Sequence, residues 1–290
     1  MNTILITGGH GFMGKNLTKY FKRNLQEHIR VLTPSRDELD LIDSDAVAFY
    51  LGIYRPDVII HLASNPNNKQ DDQWPNAIID DNIITTHNLC YHACFCPRFI
   101  FASTISVYGP TPYPVTENNP CNPGTMHGVT KLASEKIVEL YTRQNKIKGI
   151  SLRFCATVGP NMTHGMLFDF FRKVNLNSND FEVFGNEPGS IKPFLHIDDA
   201  IKAINFMITN DYITFPVNIL PNELLSAKQA ANMVLNRFDS NKQIKWLGSN
   251  SIWAGDEQIL QASNARMKEM GIKLLYPNSF EAVYNAIKEH

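Results

Sequence analysis

The 290-residue chain has little of what would commit it to a membrane, a disulfide scaffold or a nucleic acid. Its formal net charge is −1 at pH 7, so it offers no bulk basic surface, and no nucleic-acid partner is expected. No apolar run approaches the roughly 20 residues that span a bilayer, so no membrane partner is expected either. Met1 runs straight into an apolar strand, which leaves no room for a secretory leader and makes the cytoplasm the expected location. Five cysteines, an odd number in so large a chain, do not describe a disulfide framework. Cys90, Cys94 and Cys96 lie close to His87 and His92, but their spacing fits no common zinc pattern. The stretch reads as a helix running into a strand, where buried thiols behave as small hydrophobes, and no metal is expected. Repeats, low-complexity segments and charge runs are also missing. What remains, 43% hydrophobic and 19% charged residues, suits a globular protein with a full core and two lobes.

The first fourteen residues, MNTILITGGHGFMG, organise the rest. Thr3 to Thr7 is a short β-branched run that suits a buried parallel strand. Gly8, Gly11 and Gly14 follow at three-residue spacing, and Lys15 to Asn24 reads as a helix with Leu17, Tyr20 and Phe21 on one face. A strand, a glycine turn and a helix start make a phosphate site. The free N–H groups of the first helical turn converge on one spot, and residues without Cβ let a pyrophosphate approach. The spacing is GxxGxxG, not the better-known GxGxxG.

Further strands are expected at His28 to Thr33, Asp57 to Leu62, Arg98 to Ala102 and Gly149 to Cys155. Helices are expected after RDELDLID with Asp43 as N-cap, over Asn82 to Ala93, and over Met126 to Tyr141. Asn65 to Asp72 reads as a polar loop. Tyr108 to Gly124, with five prolines and two glycines, reads as a loop across the top of the sheet. This alternation implies an α/β fold with a doubly wound parallel sheet and a smaller, mixed C-terminal lobe. The first unit is expected over residues 1–160, with 191–220 returning to it, and the second mainly over 161–290. The second contains a helix at Phe168 to Val174, a strand at Phe181 to Phe184, Trp246, Trp253 and a final helix from Ser279.

The end of the second strand bears on which adenosine ribose is accepted. An acidic residue there suits a free 2′-hydroxyl, and an arginine suits a 2′-phosphate. Thr33, Pro34, Ser35 and Arg36 put a hydroxyl beside a guanidinium with no carboxylate at the tip, which favours NADP(H). Asp37 follows, able to pair with Arg36 or replace it at the ribose, so NAD(H) stays open.

With these residues in place, the whole chain resembles the extended short-chain dehydrogenase/reductase family, the nucleotide-sugar epimerases, dehydratases and 4-keto-sugar reductases. TGGHGFMG is similar to the family's TGxxGxxG loop, and RDELDLID resembles the same segment of GDP-fucose synthase-type reductases. HLAS resembles its HxAA strand end, FASTISVYG its SSxxVYG segment, KPFLHIDDA its RDFIHVDDxA, and LQASNARMKEMG its D-x-SKA-x-x-LG. The resemblance implies a Rossmann domain in which Gly8, Gly11, Phe12, Met13 and Gly14 hold the pyrophosphate. It also implies that Asp40 and Leu41 flank the adenine and that Ala63 lies near the nicotinamide ribose. A family member also implies a homodimer, with the apolar side of the helix carrying the solvated Lys136 and Glu139 facing a second copy.

The family's active site is a Ser or Thr plus a Tyr-x-x-x-Lys pair. Residues four apart share a helix face, so the ammonium sits by the phenol, lowers its pKa and grips the ribose while the phenol moves a proton. The match implies Thr104 for the hydroxyl and Lys131 for the lysine, but His127 stands where the tyrosine is expected. Imidazole is a competent acid–base group whose pKa a neighbouring Lys131 pushes down. Three readings stand open: His127 is the proton shuttle; or Tyr108, Tyr113, His164 or a water serves instead; or the chain is a non-catalytic nucleotide-binding relative.

Other departures concern the substrate. Ala156 and Val158 replace an asparagine and a tyrosine, and Lys192 replaces a diphosphate-gripping arginine with a point charge. The implied substrate is a nucleoside-diphosphate sugar, with Thr104, Asn161, His164 and Lys192 as its contacts. For His164 an ordinary loop role is also open, and Ser106 stands where the cysteine partner of an epimerising histidine is expected. His61 and His196 sit in buried strands and read as satisfied structural residues. The expected activity is reduction of a 4-keto-sugar nucleotide with NADPH, the alternative an epimerase or dehydratase that retains NAD.

Overall fold

The computed structural model describes residues 3–24, 29–66, 77–93, 95, 98–210, 216–248 and 259–290. Six strands form the main sheet: β1 (Thr3–Thr7), β2 (Arg30–Leu32), β3 (Val58–His61), β4 (Arg98–Thr104), β5 (Gly149–Phe154) and β6 (Val217–Ile219). Their spatial order is β2-β1-β3-β4-β5-β6 and every pair is parallel. From β1 the chain steps to one side for β2 and returns to the other for β3. The crevice at the carboxyl ends of β1 and β3 is therefore the switch point, where open sheets of this kind bind ligands.

Side-chain alternation along each strand builds two different faces. Ile4, Ile6, Val58, Ile60, Ile100, Ile150 and Leu152 pack on one side, against α1 (Phe12–Asn24) and a helix at Ile197–Thr209. Leu5, Ile59, Phe99 and Phe101 pack on the other, with α2 (Ser44–Tyr54) and α3 (Thr85–His92). At β5 the second face turns small and polar, with Gly149, Ser151 and Arg153 alternating with Ile150, Leu152 and Phe154. The reason is α4 (Met126–Arg143), which lies so close that a Cβ at Gly149 would stand 2.6 Å from both Val138 and Thr142.

Asp43 caps α2 as expected, its carboxylate accepting from the N–H groups of Asp45 and Ala46. α1 begins at Phe12, three residues earlier than the apolar periodicity suggests. The proline-rich stretch is not all loop, since Thr111–Val115 pairs in parallel with Leu260–Ala262. The helical segment expected from Asn82 begins at Ala77 and contains a wide turn, Asp80–Ile84, in which the Thr85 N–H reaches back to the Asp80 carbonyl. A second core gathers Leu167, Phe170, Phe171, Phe181, Val183, Phe194, Val234 and Val283. The helix Ile197–Thr209 packs on the main sheet that Val217–Ile219 completes, and so do Leu260, Met267 and Ile272. His28, Trp253 and most of the Asn65 to Asp72 loop lie outside the described residues. No helix among the described residues is long and apolar enough to cross a membrane.

Candidate active site

The three glycines after β1 divide their labour. Gly8 has φ +69°, and a Cβ on it would stand 2.6 Å from the Ala63 nitrogen, so the tight turn and its seat against the end of β3 both require glycine. A Cβ on Gly14 would meet the Gly8 carbonyl at 2.2 Å and the Gly9 Cα at 2.5 Å, so this glycine serves helix–strand packing. Gly11 is different: among the described residues a Cβ there meets nothing nearer than the Gly8 oxygen at 3.3 Å. Its missing side chain leaves room at the helix start. The first intrahelical bond runs from Lys15 N–H to the Gly11 carbonyl, so the N–H groups of Phe12, Met13 and Gly14 precede it. A cradle of this shape and polarity fits a pyrophosphate. Gly9, which the three-residue spacing skips, is also needed, because its Cβ would stand 2.8 Å from the Thr33 side chain.

The end of β2 differs from the sequence expectation. A carboxylate does stand at the tip of β2: Glu38 folds back and accepts from both the N–H (2.7 Å) and the hydroxyl (2.9 Å) of Ser35. Those bonds hold its pKa below the ordinary value, helped by His10 of the glycine turn. Glu38 lies just beyond Thr33 to Asp37 in sequence, and a tight turn at 35–39 brings it back onto Ser35. Arg36 pairs with Asp81 at 3.5 Å, not with Asp37. Asp40 caps its own loop through Ile42 N–H (3.0 Å), and the Leu41 carbonyl is held by Asn88 at 3.0 Å.

At the end of β3, directional hydrogen bonds fix the loop that faces the glycines. Ala63 N–H donates to Thr7 Oγ1 (3.3 Å), whose hydroxyl donates to His61 Nδ1 (2.7 Å). Thr86 Oγ1 spends its proton on the Asn82 carbonyl (2.7 Å), so it accepts from His61 Nε2 (3.1 Å). Burial, with Lys131 nearby, lowers the His61 pKa to about 3, so this ring is a neutral structural link. His196 is equally committed, accepting from Asp198 N–H (3.3 Å) and meeting Glu289 (3.2 Å). These three residues are the group within metal-ligand reach among those described, and their polar atoms already serve one another. Cys90 is buried in the core, while Cys94 and Cys96 lie outside the described residues.

The first turn of α4 carries the remaining residues. Thr125 caps it, and Gly128 lets it settle on the turn Ile105–Tyr108, since a Cβ there would stand 2.8 Å from the Ser106 carbonyl. Thr104 begins that turn, its Oγ1 accepting from Ser106 N–H at 3.2 Å. Lys131 is 4% exposed, donates to the Ala102 carbonyl at 2.8 Å and lies 4.7 Å above the Phe101 ring. Burial drops its pKa to about 7, although Glu135 opposes the shift. Glu135 is itself gripped by Arg153 through two bonds of 2.9 and 2.7 Å. His127 Nδ1 lies 3.3 Å from the Asn65 carbonyl. Burial, then Lys131, lowers its pKa to about 4, with His164 close enough to add to the shift. Tyr108, one of the alternative proton carriers, donates to Asn218 Oδ1 at 2.8 Å, and burial raises its pKa to about 12. Tyr113 is largely exposed on the 111–115 strand.

Asn161 is held to the glycine helix, its Nδ2 donating to Asn16 Oδ1 (3.3 Å) while Asn16 donates to the Pro160 carbonyl (2.8 Å). His164 is exposed and meets Thr163. Lys192 lies on a two-residue strand, Ile191–Lys192, that pairs antiparallel with Leu225–Ser226.

A six-stranded parallel sheet with a glycine turn at its switch point defines a Rossmann-type protein. The chain belongs to the NAD dependent epimerase/dehydratase family, whose model matches residues 4–218. It is 27% identical over 263 residues, 80% of either chain, to a protein of Bacillus subtilis (strain 168) named as an uncharacterized UDP-glucose epimerase, YtcB. Its fold matches the UDP-glucose 4-epimerase of Thermus thermophilus in complex with NAD, with a TM-score of 0.85 at 18% identity over 99% of this chain and 98% of that one. It also matches RMD from Pseudomonas aeruginosa complexed with NADPH, with a TM-score of 0.85 at 20% identity over 99% of both.

Proposed function

We propose that the protein oxidises a hydroxyl of a nucleoside-diphosphate sugar with NAD and releases product at the same overall oxidation level, as an epimerase or dehydratase does. One observation carries the reading: the contact between His127 Nδ1 and the Asn65 carbonyl. A carbonyl oxygen only accepts, so Nδ1 holds the proton and Nε2 keeps its lone pair. With a pKa of about 4 the ring is neutral at pH 7. Such a ring accepts from a sugar hydroxyl but has no proton to offer a ketone. This reverses the direction expected from sequence, where a 4-keto group is reduced.

Thr104 supports the same direction. Its oxygen already accepts from Ser106, so its own proton is free to donate to the sugar oxygen whose proton passes to His127 Nε2. The chemistry supplied by a bound nicotinamide is acceptance and return of the carbon-bound hydride. Lys131 grips the nicotinamide ribose, and Gly8, Gly11, Phe12, Met13 and Gly14 take the pyrophosphate, with Asp40, Leu41 and Ala63 lining the remainder. The Glu38 carboxylate on Ser35, with Arg36 engaged by Asp81, favours a free 2′-hydroxyl over a 2′-phosphate. Asn161, His164 and Lys192 form the sugar-nucleotide side. Residues Ile84, Tyr91 and Leu140, exposed on the adjoining helices, support a homodimer through that face.

The test is a panel of sugar nucleotides, including UDP-glucose and UDP-glucuronate, with NAD or NADPH and products read by NMR. The expected result is an epimerised or dehydrated sugar without net consumption of cofactor. Stoichiometric consumption of NADPH on a 4-keto-sugar nucleotide overturns the reading in favour of a reductase. Cofactor affinity without turnover of any sugar overturns it in favour of a nucleotide-binding relative.

A further inference from the structure

We propose that Asn82, acting through the peptide group of Asn65, decides which ring nitrogen of His127 carries its proton, and is a positioning residue for the hydroxyl chemistry on which this inference rests. A phenol has one oxygen, whose single proton swings to suit its surroundings. A neutral imidazole has two nitrogens and one proton, so a histidine at this position needs an acceptor fixed in space to choose between them.

Asn82 supplies that fixity. It is 2% exposed and sits in the wide turn Asp80–Ile84, a kind of helical irregularity that recurs at functional sites. Its Oδ1 accepts from Asn65 N–H at 2.7 Å and from the Ser64 hydroxyl at 3.0 Å. Its Nδ2 donates to the Asn65 carbonyl at 3.2 Å and to Thr130 Oγ1 at 2.9 Å. The amide has one admissible orientation, because a flip would set its NH2 group against Asn65 N–H. Thr130 agrees: its hydroxyl is spent on the His127 carbonyl at 3.1 Å, so its oxygen must accept from Asn82.

The Asn65 residue is therefore held at both its N–H and its C=O by one buried side chain. The same carbonyl is the partner of His127 Nδ1. The Asn65 side chain is anchored as well, donating to Asp81 Oδ2 at 3.1 Å. The Asn82 carbonyl is fixed in turn by Thr86 (2.7 Å) and Ser134 (2.9 Å), the latter from α4 itself. Helix, loop and wide turn thus meet at Asn82, and the Asn65 carbonyl they hold toward the ring selects Nδ1–H.

The experiment is imidazole nitrogen NMR on protein labelled at histidine, without cofactor or substrate, with H127N assigning the signal. Wild type is expected to show Nδ1 protonated and Nε2 bare. Asn82→Ala, which removes both Asn82 bonds to the Asn65 peptide, is expected to give a mixture of tautomers. Its kcat on the sugar nucleotide should fall about tenfold, with KM within about threefold. Asn82→Asp keeps the acceptor and replaces the donor with a second, charged acceptor oxygen, and it should shift the tautomer without leaving a cavity. A proton on Nε2 in wild type, or an unchanged Nδ1–H signal in both variants, overturns the proposal. Should N82A fail to fold, wild type and N82D decide it. The signal needs no turnover, so a protein inactive on every sugar could still support this inference, and an active one could still refute it.

Discussion

Two helix starts meet at the carboxyl edge of this sheet, and they are made by opposite means. The start of α1 is shaped by atoms that are missing. Three glycines remove Cβ atoms that would strike backbone or block the approach to free N–H groups. The start of α4 is shaped by atoms that are present, a set of donors and acceptors from Asn65, Asn82 and Thr130 that leave His127 one way to hold its proton. The first device is steric and local. The second is directional and assembled from residues far apart in the chain.

Substitutions at the first start should separate packing from ligand binding, and they give the largest effects. Gly14→Ala forces backbone apart at 2.2 Å and should cost roughly 4 kcal/mol or more, enough to lose the folded protein. Gly11→Ala meets the Gly8 oxygen at a tolerable 3.3 Å, so it should melt within a few degrees of wild type while binding NAD on the order of a hundredfold more weakly. Thermal melts and cofactor titration check both. If G11A and G14A behave alike, the division of labour between these glycines is wrong.

Protonation should break the second start and spare the first. His61 and His127 have folded pKa values of about 3 and 4, below the ordinary 6.5 of the unfolded chain. The unfolded state therefore binds more protons between about pH 6.5 and 3, and stability that is full above about 6.5 is lost as pH falls through that window. His127 alone accounts for about 3 kcal/mol of the loss. Urea melts across this range should show the fall, and H127N should flatten it by about that amount. A variant with the wild-type pH dependence would contradict the buried, neutral ring. A smaller effect belongs to the tip of β2. Glu38→Gln removes the charge beside Ser35 and should improve NADP binding relative to NAD by about three- to tenfold, read by competition titration.

What the sequence revealed follows the same division. The strands showed as β-branched runs, Asp43 announced its helix, and the glycine turn was visible because sterics act between near neighbours. The doubly wound sheet came from alternation alone. Lys131 and His127 were found through their four-residue spacing and their place in a family pattern. Glu38 was not legible, since its role depends on a turn that folds three residues back onto Ser35. Nor was Asn82, whose partners lie 17 and 48 positions away and whose wide turn breaks the helical phase that would have marked it as inward-facing. Gly9 escaped because it falls between the spaced glycines, and only the Thr33 side chain reveals why it must be small.

Transfer of a proton from a sugar hydroxyl to His127 is tested most directly by a single-turnover reaction of the NAD-loaded protein with a nucleoside-diphosphate hexose. The absorbance of reduced nicotinamide would be followed from about pH 4 upward. The rate should fall on the acid side with an apparent pKa of about 4. In His127→Asn it should drop on the order of a hundredfold or more, with NAD affinity within about threefold of wild type. Unchanged turnover in H127N, or hydride flowing only from NADPH to a ketone, would contradict it.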